Sequence, residues 1–114
     1  MSIKLNTRQV GDVTVLDLAG RITLGEGSST LRDSLKELVT KGDKKILLNL
    51  GDVTYIDSSG IGKLVSGFTT VTNSGGSLKL LGLNKRVKDL LQVTKLYTVF
   101  EAFEDEAEAV RSFA

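Results

Sequence analysis

Ile46-Leu47-Leu48-Asn49-Leu50-Gly51-Asp52-Val53-Thr54-Tyr55-Ile56-Asp57-Ser58-Ser59-Gly60-Ile61-Gly62 is the stretch from which the rest of the chain is read. It opens on a nearly continuous apolar run, Ile46 to Leu50, flanked by Lys44, Lys45 and Gly51. A short run of this kind suits a strand covered on both faces of a sheet. The stretch closes on Asp57-Ser58-Ser59-Gly60, after which Ile61, Leu64, Val65 and Phe68 recur at steps of three and four. That spacing lines one side of a helix. A buried strand leading into a helix predicts a parallel or mixed sheet with covering helices.

The flanking sequence extends the pattern in both directions. Ile3, Leu5 and Thr7 alternate with polar residues, Gly11-Asp12 marks a turn, and Val13 to Leu18 read as a second strand, hairpin-paired to the first. The Gly- and Ser-rich segment Gly25-Glu26-Gly27-Ser28-Ser29 leads into Leu31, Leu35, Leu38 and Val39, one apolar stripe of a helix that stops at Gly42. Gly75-Gly76 ends the helix that follows Asp57, and Leu78, Leu80 and Leu81 make a short strand. Asn84 is placed to cap a helix carrying Val87, Leu90 and Leu91. Val99 to Phe103 reads as a last strand, and Ala107, Val110 and Ala114 as the buried side of a terminal helix with an acidic first turn, Glu104, Asp105 and Glu106. The order β-β-α-β-α-β-α-β-α predicts one α/β domain over residues 1–114. Its sheet is mixed and four- to five-stranded, with about four covering helices.

Composition removes most chemistries. The 114 residues carry 15 Lys and Arg against 14 Asp and Glu, a formal charge of +1, and contain no Cys, His or Pro. There is no disulfide framework or thiolate chemistry. There is no histidine phosphorelay, His-based triad or His metal site. Carboxylate-only metal sites stay open. The balanced charge gives no bulk field for nucleic acid or a membrane surface. No apolar stretch has signal-peptide or bilayer-spanning length. The expectation is a cytoplasmic protein with no membrane insertion, no direct nucleic-acid partner, no cofactor, no metal and no catalytic residue.

Ligands of open α/β sheets bind outside the carboxyl ends of strands, where Asp57 to Gly62 falls. Ser58 or Ser59 is placed to cap the helix, and Gly60 and Gly62 remove side chains where the backbone or a partner approaches closely. A phosphate here meets free N–H groups and the positive end of the helix dipole. The same hydroxyl thus serves as a cap or as a phosphoryl acceptor. Spacing alone does not separate these uses.

The stretch Leu48 to Gly62 resembles the signature of the STAS domain, in which a buried strand, a hydrophobic-Asp-Ser-Ser-Gly turn and a helix follow one another. Val15-Leu16-Asp17-Leu18-Ala19-Gly20-Arg21, Gly75-Gly76 and Leu91-Gln92-Val93-Thr94-Lys95-Leu96 fall in register with it, so the resemblance covers essentially the whole chain. It implies a stand-alone bacterial anti-sigma-factor antagonist. In such a protein the unphosphorylated form binds an anti-sigma factor that is also a serine kinase, and the sigma factor is released. Phosphorylation of the first serine, Ser58 here with Ser59 as second choice, switches it off, and a serine phosphatase reverses this. The partner-binding residues so implied are Asp57, Ser58, Ser59 and Gly60, with Thr23 and Glu26 from the segment that faces the kinase. Many antagonists carry an acidic residue shortly after the Gly that ends the second strand. This chain has Gly20-Arg21-Ile22-Thr23-Leu24 there, with Glu26 as the nearest substitute.

Other readings compete. The same domain serves as a partner-binding module in a scaffold or lipid-transport system without kinase control. A response-regulator receiver would be phosphorylated on Asp57, but it needs an acidic Mg²⁺ cluster, and the matching region holds only Asp12 and Asp17 in a hairpin pattern. A small enzyme or small-molecule binder needs a marked acid–base pair, and none stands out. The acidic run Glu101 to Glu108 reads as a solvated face. Lys85, Arg86 and Lys88 read as a solvated face or an anion patch, Tyr55 and Phe68 as core, and Gly25 to Ser29 as a binding loop.

Overall fold

The computed structural model describes residues 3–23 and 26–114, with the backbone alone for 26–29 and Tyr97. Its elements are β1 (Ile3–Val10), β2 (Val13–Ile22), α1 (Glu26–Thr40), β3 (Lys45–Ile56), α2 (Ser58–Asn73), β4 (Ser77–Leu81), α3 (Lys85–Val93), a 3-10 turn (Leu96–Thr98), β5 (Ala102–Phe103) and α4 (Glu106–Arg111). The strands form one sheet in the order β1-β2-β3-β4-β5. β1 and β2 are the antiparallel hairpin, and every later pairing is parallel. The mixed sheet with four covering helices is therefore the expected one.

The two-faced burial of β3 follows from its apolar run. Ile46, Leu48 and Leu50 point into the larger core, with Leu31, Leu35 and Leu38 of α1, Ile61, Leu64 and Val71 of α2, and Val87 and Leu91 of α3. Leu47 points the other way, into a smaller core with Val13, Val15, Leu81 and Ala109. Alternation along the strand thus assigns three helices to one face and α4 to the other. Phe68 joins the larger core, its ring edge-on to Phe100 at 5.4 Å.

Helices α1 and α2 end alike. Gly42 and Gly75 take φ of +95° and +87°, and in each case the glycine's own N–H and the next one reach back: Gly42 to Val39 and Asp43 to Leu38, Gly75 to Thr72 and Gly76 to Val71. These are Schellman closures, which the left-handed glycine makes possible.

Four element readings change. β3 runs past Gly51 to Ile56, and β2 past Leu18 to Ile22, because irregularities between Asp17 and Ala19 and between Gly20 and Arg21 keep the pair in step. The last strand shrinks to Ala102–Phe103, since the 3-10 turn Leu96–Thr98 is closed by Val99, which keeps helical backbone, and the Val99 and Phe100 N–H groups both donate to the Leu96 carbonyl. In α4 the buried residue is Ala109, with Val110 and Phe113 partly buried, while Ala107 and Ala114 are exposed. Asp105, which accepts from the Glu108 N–H at 3.0 Å, sets where the helix begins and hence its phase.

The smaller face also carries a polar clasp. Arg8 Nε donates to Asp17 at 2.6 Å and its Nη1 to Glu106 at 3.0 Å, while Asn49 Nδ2 donates to Asp17 at 2.8 Å. The Arg8 hydrogen bonds hold the Asp17 and Glu106 carboxyls below their ordinary pKa, and those carboxylates raise Arg8 in return. Both carboxyls are therefore weaker proton acceptors folded than unfolded. Their stabilisation is complete above the unfolded values near about 4 and is lost as pH falls through the lowered folded values. With Arg8 and Asp17 side chains 36% and 28% exposed, we expect less than about 1 kcal/mol from the pair at neutral pH. Urea midpoints measured against pH should fall more steeply on the acid side for the wild type than for Arg8→Gln. Parallel acid limbs would remove the clasp from the account.

Candidate functional site

β2 and β3 end together, with Ile22 paired to Ile56. The Asp57 N–H donates to the Ile22 carbonyl at 3.2 Å, so the turn is tied to the carboxyl edge of the sheet before α2 begins. The cap is Asp57, not Ser58 or Ser59: its Oδ1 accepts from the Gly60 N–H at 2.8 Å, in extended backbone. A short carboxylate one residue before the helix reaches the third N–H, and this takes the capping task from both serines. Ser58 is the first helical residue and is exposed; Ser59 is half-buried.

Gly60 and Gly62 separate. A Cβ on Gly60 would lie 2.5 Å from the Ile22 carbonyl oxygen and 2.7 Å from Ile56 Cγ1. Gly60 is buried, and its bareness lets α2 sit against the ends of β2 and β3. A Cβ on Gly62 would meet nothing within 4 Å, so no contact inside the described chain requires that glycine. Ile61 and Leu64 are core, 4% and 0% exposed.

Thr23 follows β2 directly and is half-buried beside this turn's strand end. Gly25, part of the expected binding loop, and Leu24 before it lie outside the described residues. Glu26 to Ser29 form the first turn of α1, not loop.

Tyr55 departs from the core reading. It is half-buried, with the Arg21 guanidinium 4.9 Å and the Arg86 guanidinium 4.5 Å from its ring centroid. Arg21 is the parallel-sheet partner of Tyr55. Arg86 comes from the first turn of α3, which Asn84 fastens: its Oδ1 accepts from the Val87 N–H at 2.9 Å and its Nδ2 donates to the Val53 carbonyl at 2.8 Å. An open cleft of about 560 Å³ results, lined by Tyr55, Asp57, Ser58, Arg86, Asp89 and Val93 among others. Val93 is 80% exposed. The basic residues near α3 were visible in sequence, but their meeting with Tyr55 was not.

Asn84→Ala removes both the cap and the strand tie. We expect a loss of about 1–2 kcal/mol and a melting temperature lower by roughly 5–10 °C. Asn84→Asp, which keeps the cap alone, should fall between the two. Thermal denaturation of the three proteins checks the order.

Among the described residues no cluster of three or more metal-ligating side chains is found, and no helix is long and apolar enough to cross a membrane. What the site offers is a surface at the carboxyl edge of a sheet: an exposed hydroxyl, a capping carboxylate and a stacked arginine pair. It defines an α/β domain suited to recognising a partner protein. The family model for the STAS domain matches residues 4–109, and the chain belongs to that family. Within it the chain falls among the anti-sigma-factor antagonists, proteins that act by exchanging partners and not by catalysis. It is 34% identical over 102 residues to the anti-sigma-B factor antagonist of Bacillus subtilis (strain 168), covering 89% of this chain and 91% of that one. The crystal structure of TM1081 from Thermotoga maritima, described as a candidate anti-sigma factor antagonist, superposes with a TM-score of 0.88 at 27% identity, covering 96% and 93% of the two chains. The phosphorylated form of the Bacillus cell fate determinant SpoIIAA shares the fold, with a TM-score of 0.76 at 18% identity over 97% of this chain and all of that one.

Proposed function

We propose that the chain binds an anti-sigma factor with serine kinase activity through the Asp57–Gly60 turn together with Thr23 and Glu26, releasing the sigma factor. Phosphorylation of Ser58 then ends the binding, and a serine phosphatase restores it. One observation carries this reading: Asp57 caps α2, so the Ser58 hydroxyl stands exposed and unneeded for the fold. In the transfer, Ser58 Oγ gives its proton to a base of the kinase and bonds to the γ-phosphorus of ATP, the bond from that phosphorus to the β,γ-bridging oxygen breaks, and ADP leaves with that oxygen. Positioning and charge stabilisation come from the kinase and Mg²⁺; this chain supplies a reachable hydroxyl.

The switch is electrostatic. A phosphoserine carries about −1.5 to −2 charge, which takes the formal +1 to between about −0.5 and −1. Locally the change is larger, because the phosphoryl group sits beside Asp57 on the surface meant to meet the partner. Repulsion and desolvation then oppose docking. A phosphate at the first helical residue faces free N–H groups, so the fold is kept. The likeness to SpoIIAA in both its unphosphorylated and phosphorylated forms supports a fold that tolerates the modification. The test is incubation with the cognate kinase and ATP, followed by intact-mass measurement and peptide mapping. Phosphate on Ser58 supports the reading; an unmodified chain, or phosphate elsewhere alone, defeats it.

A further inference from the structure

Two guanidinium groups meet at one ring of the cleft. Arg21 and Arg86 arrive from β2 and α3 over one ring, at 4.9 and 4.5 Å from its centroid. Their charges therefore lie within about 10 Å of each other, roughly one Debye length at 0.1 M salt, and repel. Both residues are exposed, and among the described residues neither has a carboxylate within ion-pair distance. Asp57 and Asp89 also line the cleft and bring negative charge to it. Asp89 pairs with Lys85 at 3.1 Å, and Asp57 accepts from the Gly60 N–H. Stacking on Tyr55 holds the arginines in place without neutralising them. A planar guanidinium held this way keeps its N–H groups free to meet two oxygens of one anion, which an ammonium cannot match.

Ser58 lines the same cleft as Arg86. We propose that Arg86, seated on the Tyr55 ring that Arg21 also contacts, is the counter-charge that receives a phosphoryl group on Ser58. Before modification, Arg86 is a cation presented at the docking surface. Afterwards its N–H groups are taken up by the phosphate, so the partner loses a positive contact and meets a negative one. The regulatory meaning rests on the reading that Ser58 is the phosphorylated residue. The geometry depends only on what Arg86 does when phosphate is there.

The test separates the two. Phosphoserine is installed at position 58 of the full chain during translation, without a kinase, and its second ionisation is followed by phosphorus NMR against pH. In the wild-type background it should titrate below its ordinary value of about 6. Arg86→Gln should raise it by about half a unit or more, Arg21→Gln by less, and Arg86→Lys should recover part of the shift. Lys88→Gln, which removes an exposed charge from the same helix outside the cleft, should leave it unchanged. The α2 N-terminus lowers the value equally in all five proteins and cannot produce the difference. If Arg86→Gln titrates with the wild type, or Lys88→Gln shifts it as much, the clamp is overturned. A chain that no kinase modifies overturns the proposed function instead, and leaves this titration to be decided on its own result.

Discussion

Ser58→Ala is expected to accept no phosphoryl group from the cognate kinase and ATP while binding that partner as tightly as the wild type. The loss is complete because one hydroxyl is removed and nothing else at the turn depends on it. Asp57 carries the cap, so α2 still begins at the same place. Had Ser58 been the cap, the same substitution would also have cost about 1 kcal/mol of stability; an unchanged melting temperature separates the two cases. Ser58→Asp is the complementary arm. It puts a permanent negative charge beside Asp57 and should weaken binding about tenfold or more, equivalent to about 1.4 kcal/mol. Intact mass reads the first arm and titration calorimetry with the kinase the second. A Ser58→Asp protein that binds like the wild type would falsify the electrostatic switch.

Gly60→Ala should cause the largest loss of stability of any methyl-sized change at the site. The new Cβ would stand 2.5 Å from the Ile22 carbonyl oxygen, 2.7 Å from Ile56 Cγ1 and 2.9 Å from Ile22 Cγ2. The carbonyl cannot move aside, because it accepts the Asp57 N–H and Ile22 is paired with Ile56. α2 must therefore lift from the strand ends. Overpacking of this kind costs about 2–3 kcal/mol, or a fall in melting temperature of roughly 10–20 °C for a domain of this size. Gly62→Ala tests the same motif with the opposite sign. Its Cβ has open space, and Ala is the better helix former by up to about 1 kcal/mol. If both variants melt with the wild type, the close approach of α2 to the sheet is not what holds Gly60.

Much of the site was legible because its parts are contiguous. The apolar run Ile46 to Leu50, the Asp-Ser-Ser-Gly turn and the Ile61, Leu64 spacing lie within one stretch, and each reports a local preference: strand burial, capping and helical period. What a single stretch cannot report is which of several competent residues takes a job. Three neighbouring side chains at the turn are able to cap a helix, and only the backbone direction at Ile56 decides that Asp57 does. The same limit hid the length of β3. Gly51 reads as a strand end, yet pairing with an irregular β2 carries the strand to Ile56 and so delivers Asp57 directly at the sheet edge.

The sequence by itself determined the class of fold, the helix stops at Gly42 and Gly75, the two-faced burial of β3 and the place of the turn. All of these follow from periodicity and backbone preference over a few residues. Tertiary structure alone decided that Asp57 caps and leaves Ser58 to spare, that Gly60 is a packing requirement and Gly62 is not, and that Arg21, Tyr55 and Arg86 meet beside the turn. Those outcomes depend on distances between segments far apart in the chain. Sheet register and helix docking set such distances, and no local pattern carries them.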